Sequence, residues 1–576
     1  RGEFPSGSYP KPRVGGSVPA TWQVDVESTW PDGSVLAAFV SMPVSIAANG
    51  SVVVDFVSDS NPCHLGNLAT CQGAALTQSQ MLAFNSSTWD AVLTGTANSI
   101  SYNANARTML TAGVWSYRLR GPVVTQVVVE DLTRPNPVYD FGWQWNGTAW
   151  QAPSTDNYKS IHPLFVLSFY AGWAGVEVEV IALQAATTRF QRQVFDLLLT
   201  KSGSSVVYSK SAFDLPRSSA FTRYFWDGTA PGAVQIDFNL KYMIHSRILP
   251  PYDYSKQWQG ATDDGTYDTL VGGRDVQDCS FAANGHCGFW NQDIGQPGGR
   301  GDIGLIPRFY AEYLTIMGDT AQFSIAARKA IFDKLVIGDA DAGMTIPVHY
   351  IEYDNSSYRD SPADGRRYYF DAAQTTPAFG RMASMYARPV WRSYGGNEHT
   401  EGGASDAIVP VCSSGVCDGG RGASTAYTKG WTLDNAHMPS LFAIPYILTG
   451  RYSYLIGQIS LAGYMPAKAG QWCANDALRC FDWGLQGSFG NQRYEAWTLR
   501  EIAWAALLIP SARPEREYFR RMLEKNDEMW EGVQDIYGGN AGATTSATYC
   551  SGTNDDAKNN TITGSSSGAG NAWGPY

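Results

Sequence analysis

The hydrophobic pattern of this 576-residue chain changes its period near Pro250 and Pro251. Before these prolines, short β-branched runs such as Val123 to Val129 and Val176 to Val180 are separated by Gly, Asn and Pro, which is typical of β-sandwiches and barrels. Beyond residue 300, apolar residues recur every three or four positions, which indicates amphipathic helices. The sequence therefore predicts a multidomain fold that is β first and α afterwards, without alternating βαβ units.

The longest strand candidate runs from Val234 to Arg247, where apolar and polar residues alternate. In such a strand Lys241, His245 and Arg247 project from one face, and Pro250 ends the strand. The helical part is predicted to contain a helix with a stripe from Ile303 to Met317, a second helix capped by Asp319, and helices at Asn435 to Leu448, Arg493 to Ile509 and Pro514 to Trp530.

Charge and hydropathy exclude two classes of partner. The net charge is −11, whereas nucleic-acid binders carry clustered Lys and Arg, so we expect no nucleic-acid partner. The longest apolar stretch, Pro163 to Leu183, contains Glu177 and Glu179, so we expect no membrane span. Aromatic residues reach 13%, which suits stacking on sugar rings and equally suits a β-rich core.

Eight of the nine cysteines form close sequence pairs around Gly-, Asn- and Ser-rich loops, which predicts local disulfides and an oxidising, extracellular location. The pairs are Cys63 with Cys71, Cys279 with Cys287, Cys412 with Cys417, and Cys473 with Cys480. Cys550 remains, and it indicates an intermolecular bond or a partner outside this chain. We expect any secretory signal to have been removed or to lie outside this sequence.

Residues 537–576 are rich in Gly, Ser, Thr, Asn and Ala and contain almost no aliphatic residues. A segment of this composition buries too little apolar surface to order itself. We predict that it is held either by the helical domain or by a neighbouring subunit, and the second case would make it an element of self-assembly.

Common catalytic motifs are missing in their functional context: the sequence has no P-loop and no HExxH, the string GRGDIG has no βαβ unit around it, and GSSSG in the Gly- and Ser-rich tail is no nucleophile elbow. Three polar clusters in apolar surroundings remain as candidates. Arg300 and Asp302 lie just before the first predicted helix, where a simple N-cap with a surface arginine is the alternative. Asp434, Asn435 and His437 open another helix, and capping explains one of them but not the histidine.

The third cluster is Arg493, Tyr494 and Glu495, in the first turn of a strongly apolar helix. An arginine there opposes the helix dipole unless it has an anionic partner, which favours a functional role. His349 is a fourth candidate, for which a structural histidine is the alternative. Asp263, Asp264 and Asp268 could hold calcium, but they miss the EF-hand spacing and an Asp-Gly loop explains them better, so we predict no metal site and no other cofactor.

Several of these motifs resemble the exo-acting rhamnogalacturonan lyase-like family. Trp30 to Val35 resembles the opening of its RIFT-type barrel, and Pro163 to Leu183 resembles its central β-sandwich. GRGDIG, WTLDNAHMPSLFAIPYILTG and NQRYEAWTLREIAWAALL resemble its C-terminal α/α toroid. The resemblance implies three domains: a RIFT-type β-barrel at residues 1–120, a β-sandwich at 121–250 and an α/α toroid-like domain at 251–536. The tail at 537–576 follows them and has no counterpart in that family.

The resemblance also implies β-elimination at a uronic acid of a polysaccharide. That reaction needs a cation to neutralise the uronate, a base for the C5 proton and an acid for the leaving O4. Arg300 and Arg493 suit neutralisation, His437 suits the base and Tyr494 the acid. The predicted substrate contacts are His245, Arg247, Asp302, His349, Asp434 and Glu495.

Two alternatives stay open. Asp302, Asp434 and Glu495 could instead supply the acid and base of a glycoside hydrolase. The protein could also be a structural or adhesive subunit of an extracellular filament or surface layer, with a carbohydrate-enzyme scaffold kept for its shape and the tail joining neighbours.

Overall fold

The computed structural model describes residues 2–131, 137–146, 148–154, 159–185, 193–215, 218–232, 234–251, 253, 301, 303–318, 321–346, 348–349, 435–469 and 492–537. Within these residues the first part of the chain forms antiparallel β-sheets and the second part forms helices, so the predicted order of β before α is confirmed.

The strands are β1 Tyr9–Val14, β2 Gln23–Thr29, β3 Val35–Ser41, β4 Val54–Asp59, β5 Ala91–Ala97, β6 Ile100–Asn105, β7 Trp115–Arg120, β8 Val124–Val129, β9 Gln144–Trp145, β10 Trp150–Gln151, β11 His162–Tyr170, β12 Gly175–Gln184, β13 Gln193–Lys201, β14 Ser205–Leu215 and β15 Ser219–Gly228. Two larger sheets have the orders β15-β12-β11-β8-β7 and β14-β13-β5-β6, and the pairs β1-β4, β2-β3 and β9-β10 form two-stranded sheets.

The two larger sheets pack face to face as a β-sandwich. Phe165, Leu167 and Val178 of the five-stranded sheet share one apolar core with Leu93 and Phe195 of the four-stranded sheet. Aromatic rings fill much of this core because strands of both sheets present them at alternate positions. This sandwich core is the first of two hydrophobic cores that the described residues form.

The second core lies on the opposite face of the five-stranded sheet. Leu164, Val166, Ile181 and Leu183 point away from the sandwich and pack with apolar side chains of the helices. Both faces of β11 are therefore buried, which explains why its sequence is a continuous apolar run and does not alternate. The molecule has three layers in this region: a sheet, a sheet and helices.

The helices are α1 Leu68–Gly73, α2 Gln78–Ala83, α3 Ala106–Thr111, α4 Leu240–His245, α5 Arg308–Ile316, α6 Ile325–Ile331, α7 Asp339–Gly343, α8 Ala443–Thr449, α9 Tyr452–Ala469, α10 Gln492–Leu508 and α11 Pro514–Tyr537. A π-helix, Phe332–Gly338, joins α6 to α7, and 3₁₀ turns occur at Phe84–Ser87, Ser202–Ser204 and Asn435–His437. In the described residues no helix is long and apolar enough to span a membrane.

The strand predicted from Val234 to Arg247 is wrong. Residues 240–245 form α4, because Asn239 caps this turn by accepting a hydrogen bond from the Tyr242 backbone N–H at 3.1 Å. Tyr242 and Val234, on the supposed apolar face, are 48% and 63% exposed. The buried pair is Met243 and Ile244, which are adjacent in sequence and could not share one face of a strand.

Three helix starts also differ from the prediction. The helix predicted from Asn435 begins at Ala443, and Asn435–His437 forms a separate 3₁₀ turn. The helix expected from Ile303 begins at Arg308. Pro307 is its N-cap, a position at which the missing N–H removes no helical hydrogen bond. The next helix begins after Ser324, whose side chain accepts from the Ala327 N–H at 3.2 Å, whereas Asp319 lies outside the described residues. Ser324 is as good an N-cap residue as Asp, which explains why the helix can begin there.

Strand pairing crosses the expected boundary at residue 120. β5 and β6 pair into the sheet of β13 and β14, and β7 joins the five-stranded sheet, so the sandwich takes strands from both sides of that boundary. The Cys63–Cys71 disulfide is formed as predicted. The other three predicted disulfides and Cys550 lie outside the described residues, as does the tail beyond Tyr537.

Candidate functional site

Two of the predicted site residues, His437 and Arg493, lie together. His437 ends the 3₁₀ turn Asn435–His437 and Arg493 lies in the first turn of α10; the Arg493 Nη1 atom is 2.9 Å from the His437 Nε2 atom. A guanidinium only donates hydrogen bonds, so Nε2 must be the acceptor. His437 is therefore neutral in this arrangement, with its ring proton on Nδ1. Arg493 is exposed and His437 half-buried, so both are accessible from solvent.

The buried Arg500, about two turns after Arg493 on α10, holds this corner in place. Arg500 donates from Nη2 to the Met438 carbonyl at 2.6 Å and from Nη1 to the Gly304 carbonyl. Met438 follows His437 directly, and Gly304 closes the GRGDIG motif. Arg500 thus joins three chain segments that the sequence singled out separately.

The charge of Arg500 is compensated locally. Its Nε atom donates to Glu501 Oε1 at 2.7 Å, and Gln458 donates to Glu501 Oε2 at 3.0 Å. Burial lowers the pKa of Arg500, and the adjacent Glu501 acts in the opposite direction. The guanidinium also lies over the Trp497 ring, 4.7 Å from its centroid. This packing and pairing fix the Arg500 donors, and through them the backbone beside His437.

The remaining predicted residues are not brought to this corner by the described structure. His245 and Arg247 are exposed at the end of α4, and His349 is fully buried against Phe442, with 6.4 Å between the ring centroids. Arg300, Asp302 and Asp434 lie outside the described residues, as do the candidate calcium ligands Asp263, Asp264 and Asp268. The side chains of Tyr494 and Glu495 lie outside the described part of α10.

A second polar cluster, which the sequence did not predict, lies at one end of the sandwich. Asp131 follows β8, Asp140 precedes the bridge between Phe141 and Ile161, and His162 is the first residue of β11. One donor atom from each residue lies within 4.8 Å of the others. The His162 Nδ1 atom is 2.5 Å from Asp140 Oδ1. All three are buried, with 1%, 6% and 1% of their surfaces exposed in the order named.

The carboxylates around His162 favour the protonated form of its ring. Burial by itself lowers the pKa of His162, but Asp140, Glu130 and Asp131 outweigh it and the pKa is raised. The sequence indicated this cluster only indirectly: Asp131 follows the apolar run of β8 and His162 precedes that of β11, and these two strands are neighbours in the sheet.

The three residues of the cluster show no recognisable ligand spacing, so a search for sequence motifs does not find them.

No protein-family model, curated protein or solved structure matches this chain, so the resemblance to the rhamnogalacturonan lyase-like family stays a prediction from the motifs.

Proposed function

We propose that this protein acts on polysaccharides and cleaves a uronate-containing polymer by β-elimination at the corner formed by His437 and Arg493. The observation that carries the proposal is the 2.9 Å contact between an accessible guanidinium and an accessible, neutral imidazole. Elimination next to a carboxylate needs one group that holds the negative charge and one with a lone pair for the C5 proton, and these two side chains supply both.

The contact between the two groups defines an order of events. The Nε2 lone pair of His437 accepts from Arg493, so it cannot take a substrate proton until that hydrogen bond opens. A uronate carboxylate competes for the guanidinium, because a planar bidentate pair with an anion is stronger than a hydrogen bond to a neutral ring. Substrate binding would thus move Arg493 onto the carboxylate and release the base beside C5.

The other roles follow from the sequence. Tyr494, next to Arg493 in the same helical turn, is proposed as the acid for the leaving O4, and Arg300 as a second cation for the uronate. The Gly304 carbonyl bound by Arg500 supports a position for the GRGDIG motif near this corner. We also propose that the protein is secreted, which the Cys63–Cys71 disulfide supports because such bonds persist in oxidising compartments.

The test is incubation of the purified protein with a panel of pectic and bacterial uronate polymers. Ultraviolet absorbance of the unsaturated product and new reducing ends are measured on the same samples. Elimination produces both signals, whereas hydrolysis produces reducing ends alone. Reducing ends without absorbance would transfer the chemistry to a carboxylate mechanism. The absence of both signals on every polymer would contradict the proposal.

Variants locate the activity. His437→Ala should lower kcat by roughly 10²–10⁴-fold, the usual contribution of a positioned base. Arg493→Ala should raise KM and lower kcat, while Arg493→Lys should recover binding only in part, since a lysine cannot bind bidentately. The matched control is Arg520→Ala, which removes an arginine from the exposed side of α11 and should leave both constants unchanged.

A further inference from the structure

We propose that Asp131, Asp140 and His162 form a binding site for one divalent transition-metal ion of the zinc type, which ties the end of β8 to the start of β11. The proposal is independent of the elimination reaction proposed above. Its residues belong to the sandwich and differ from those of the His437–Arg493 corner.

The unusual group in this cluster is Asp131. The residue is 1% exposed; its Oδ2 accepts from the Val138 N–H at 2.7 Å, but its buried Oδ1 has no hydrogen-bond partner among the described residues. A carboxylate oxygen without a donor in a buried place is costly, and such groups are normally paired or bound to a metal. Asp131 also offers an oxygen within 4.8 Å of the donor atoms of Asp140 and His162.

The charges around the cluster leave room for a cation. Arg513, the nearby guanidinium that interacts with Glu130, already forms an ion pair with Glu515 at 2.8 Å. Asp131 and Asp140 together carry two negative charges, which a divalent ion bound to a neutral imidazole would balance. Binding would release the proton that His162 shares with Asp140 and put the metal in its place, with no change of oxidation state.

The donor set decides the class of ion. Calcium and magnesium prefer sites made of oxygen donors alone, whereas a histidine with two carboxylates is a donor set that zinc accepts. Because all three side chains are at least nine-tenths buried, the site is closed to substrates. We therefore infer a structural role, in which the ion stabilises the end of the sandwich, and no catalytic one.

The experiment uses the full chain, stripped with a chelator and dialysed. Thermal unfolding and isothermal titration are followed with ZnCl₂, MnCl₂, CaCl₂ and MgCl₂ as separate probes. We expect zinc to raise Tm and to bind at about one ion per chain. In Asp131→Asn, which keeps the acceptor for Val138 but loses the charge, zinc affinity should fall by at least tenfold, on the scale of metal-site substitutions. Asp55→Asn, at a partly exposed position of β4, is the charge-matched control and should bind as the original protein does.

The metal-free proteins give a second readout. If Asp131 serves a metal, Asp131→Asn without metal should be at least as stable as the original chain, because it removes a buried unpaired charge. If Asp131 only balances a protonated His162, the variant should be less stable and zinc should change neither protein. Any of three results would overturn the proposal. The first is that combination, the second is equal zinc binding by Asp131→Asn and the original protein, and the third is stabilisation by calcium or magnesium alone.

Discussion

Glu179 of β12 caps the N-terminus of α9 at Ser453, a residue 274 positions further along the chain. The Glu179 carboxylate accepts from the Ser453 N–H at 3.0 Å, from the Tyr452 N–H at 3.1 Å and from the Ser453 hydroxyl. The first N–H groups of a helix have no partner within the helix, and an anion there also interacts favourably with the helix dipole. One side chain of the sheet therefore fixes where a helix of the second core begins.

Glu179→Ala should lower the free energy of unfolding by about 2–4 kcal/mol, because it leaves buried N–H groups without an acceptor. Glu179→Gln should cost less, about 1 kcal/mol, since its amide oxygen still accepts a hydrogen bond. Urea unfolding followed by circular dichroism measures both. Glu524→Ala, on the exposed side of α11, is the control, and an equal loss in all three variants would contradict the capping role.

Gly95 of β5 has no room for a side chain. A Cβ atom there would lie 2.7 Å from Trp143 Cη2 and 3.1 Å from atoms of Phe141 and Phe195. Gly95→Ala should therefore destabilise the sandwich by about 1–3 kcal/mol through overpacking. Gly73→Ala is the matched control, because a Cβ at Gly73 meets nothing within 4 Å, and it should be neutral or slightly stabilising. Similar Tm values for the two variants would contradict overpacking, because they would mean that the core adjusts to the added methyl group.

Replacing Arg500 alone should destabilise the protein more than replacing Arg500 and Glu501 together. Arg500→Met leaves the Glu501 carboxylate buried without its cation, which typically costs about 3–5 kcal/mol. Combining it with Glu501→Gln removes the unpaired charge and should restore part of that loss. The double-mutant cycle is measured by urea unfolding. Additive effects of the two substitutions would mean that the pair contributes no coupling at this corner.

His349 should make the protein sensitive to acid. Burial lowers its pKa to about 4 from the ordinary 6.5. Between these values the unfolded chain binds a proton that the folded chain does not, so stability falls as the pH falls from 6.5 to 4 and changes no further from this group below 4. The difference corresponds to about 3 kcal/mol. His349→Leu should lose this contribution, and chemical unfolding at pH 7 and pH 4.5 measures it; parallel losses in both proteins would contradict the assignment.

Removing the Cys63–Cys71 disulfide should also destabilise the protein. The bond closes a loop with a sequence separation of 8, for which chain entropy predicts about 2–3 kcal/mol. Cys63→Ser with Cys71→Ser should lower the free energy of unfolding by that amount, which urea unfolding measures. A reducing agent should abolish the difference in stability between the original protein and the double variant, because this bond is then open in both. Equal stability of the two proteins without a reducing agent would mean that the bond contributes nothing.

Local patterns in the sequence predicted much of the secondary structure. The run Val176 to Val180 lies in β12, and Arg493 to Ile509 differs from α10 by one residue at each end. The false strand at Val234 arose because a capped turn of six residues is too short for its period to be read, and alternation over Leu240, Tyr242 and Ile244 fits either structure. Short elements are decided by their caps and by burial.

The candidate site residues could also be predicted only in part. His437 and Arg493 could be predicted because each stands out as a polar residue at the start of an apolar segment. Arg500 and the Asp131–Asp140–His162 cluster could not, because their meaning depends on partners distant in sequence: Arg500 reaches Gly304, 196 positions away, and His162 meets Asp140 across a loop. Charged residues in apolar runs are usually surface residues, and only the packing shows that these are buried.

The five-stranded sheet has a consequence for separate folding of the two halves of this chain. Its one face belongs to the sandwich core and its other face, through Leu164 and Ile181, belongs to the helical core. A gene fragment that encoded only the β half would expose an apolar face to water, and one that encoded only the helices would lack the wall against which they pack. We therefore expect neither half to fold well as a separate module, because the sheet that they share contributes to both cores.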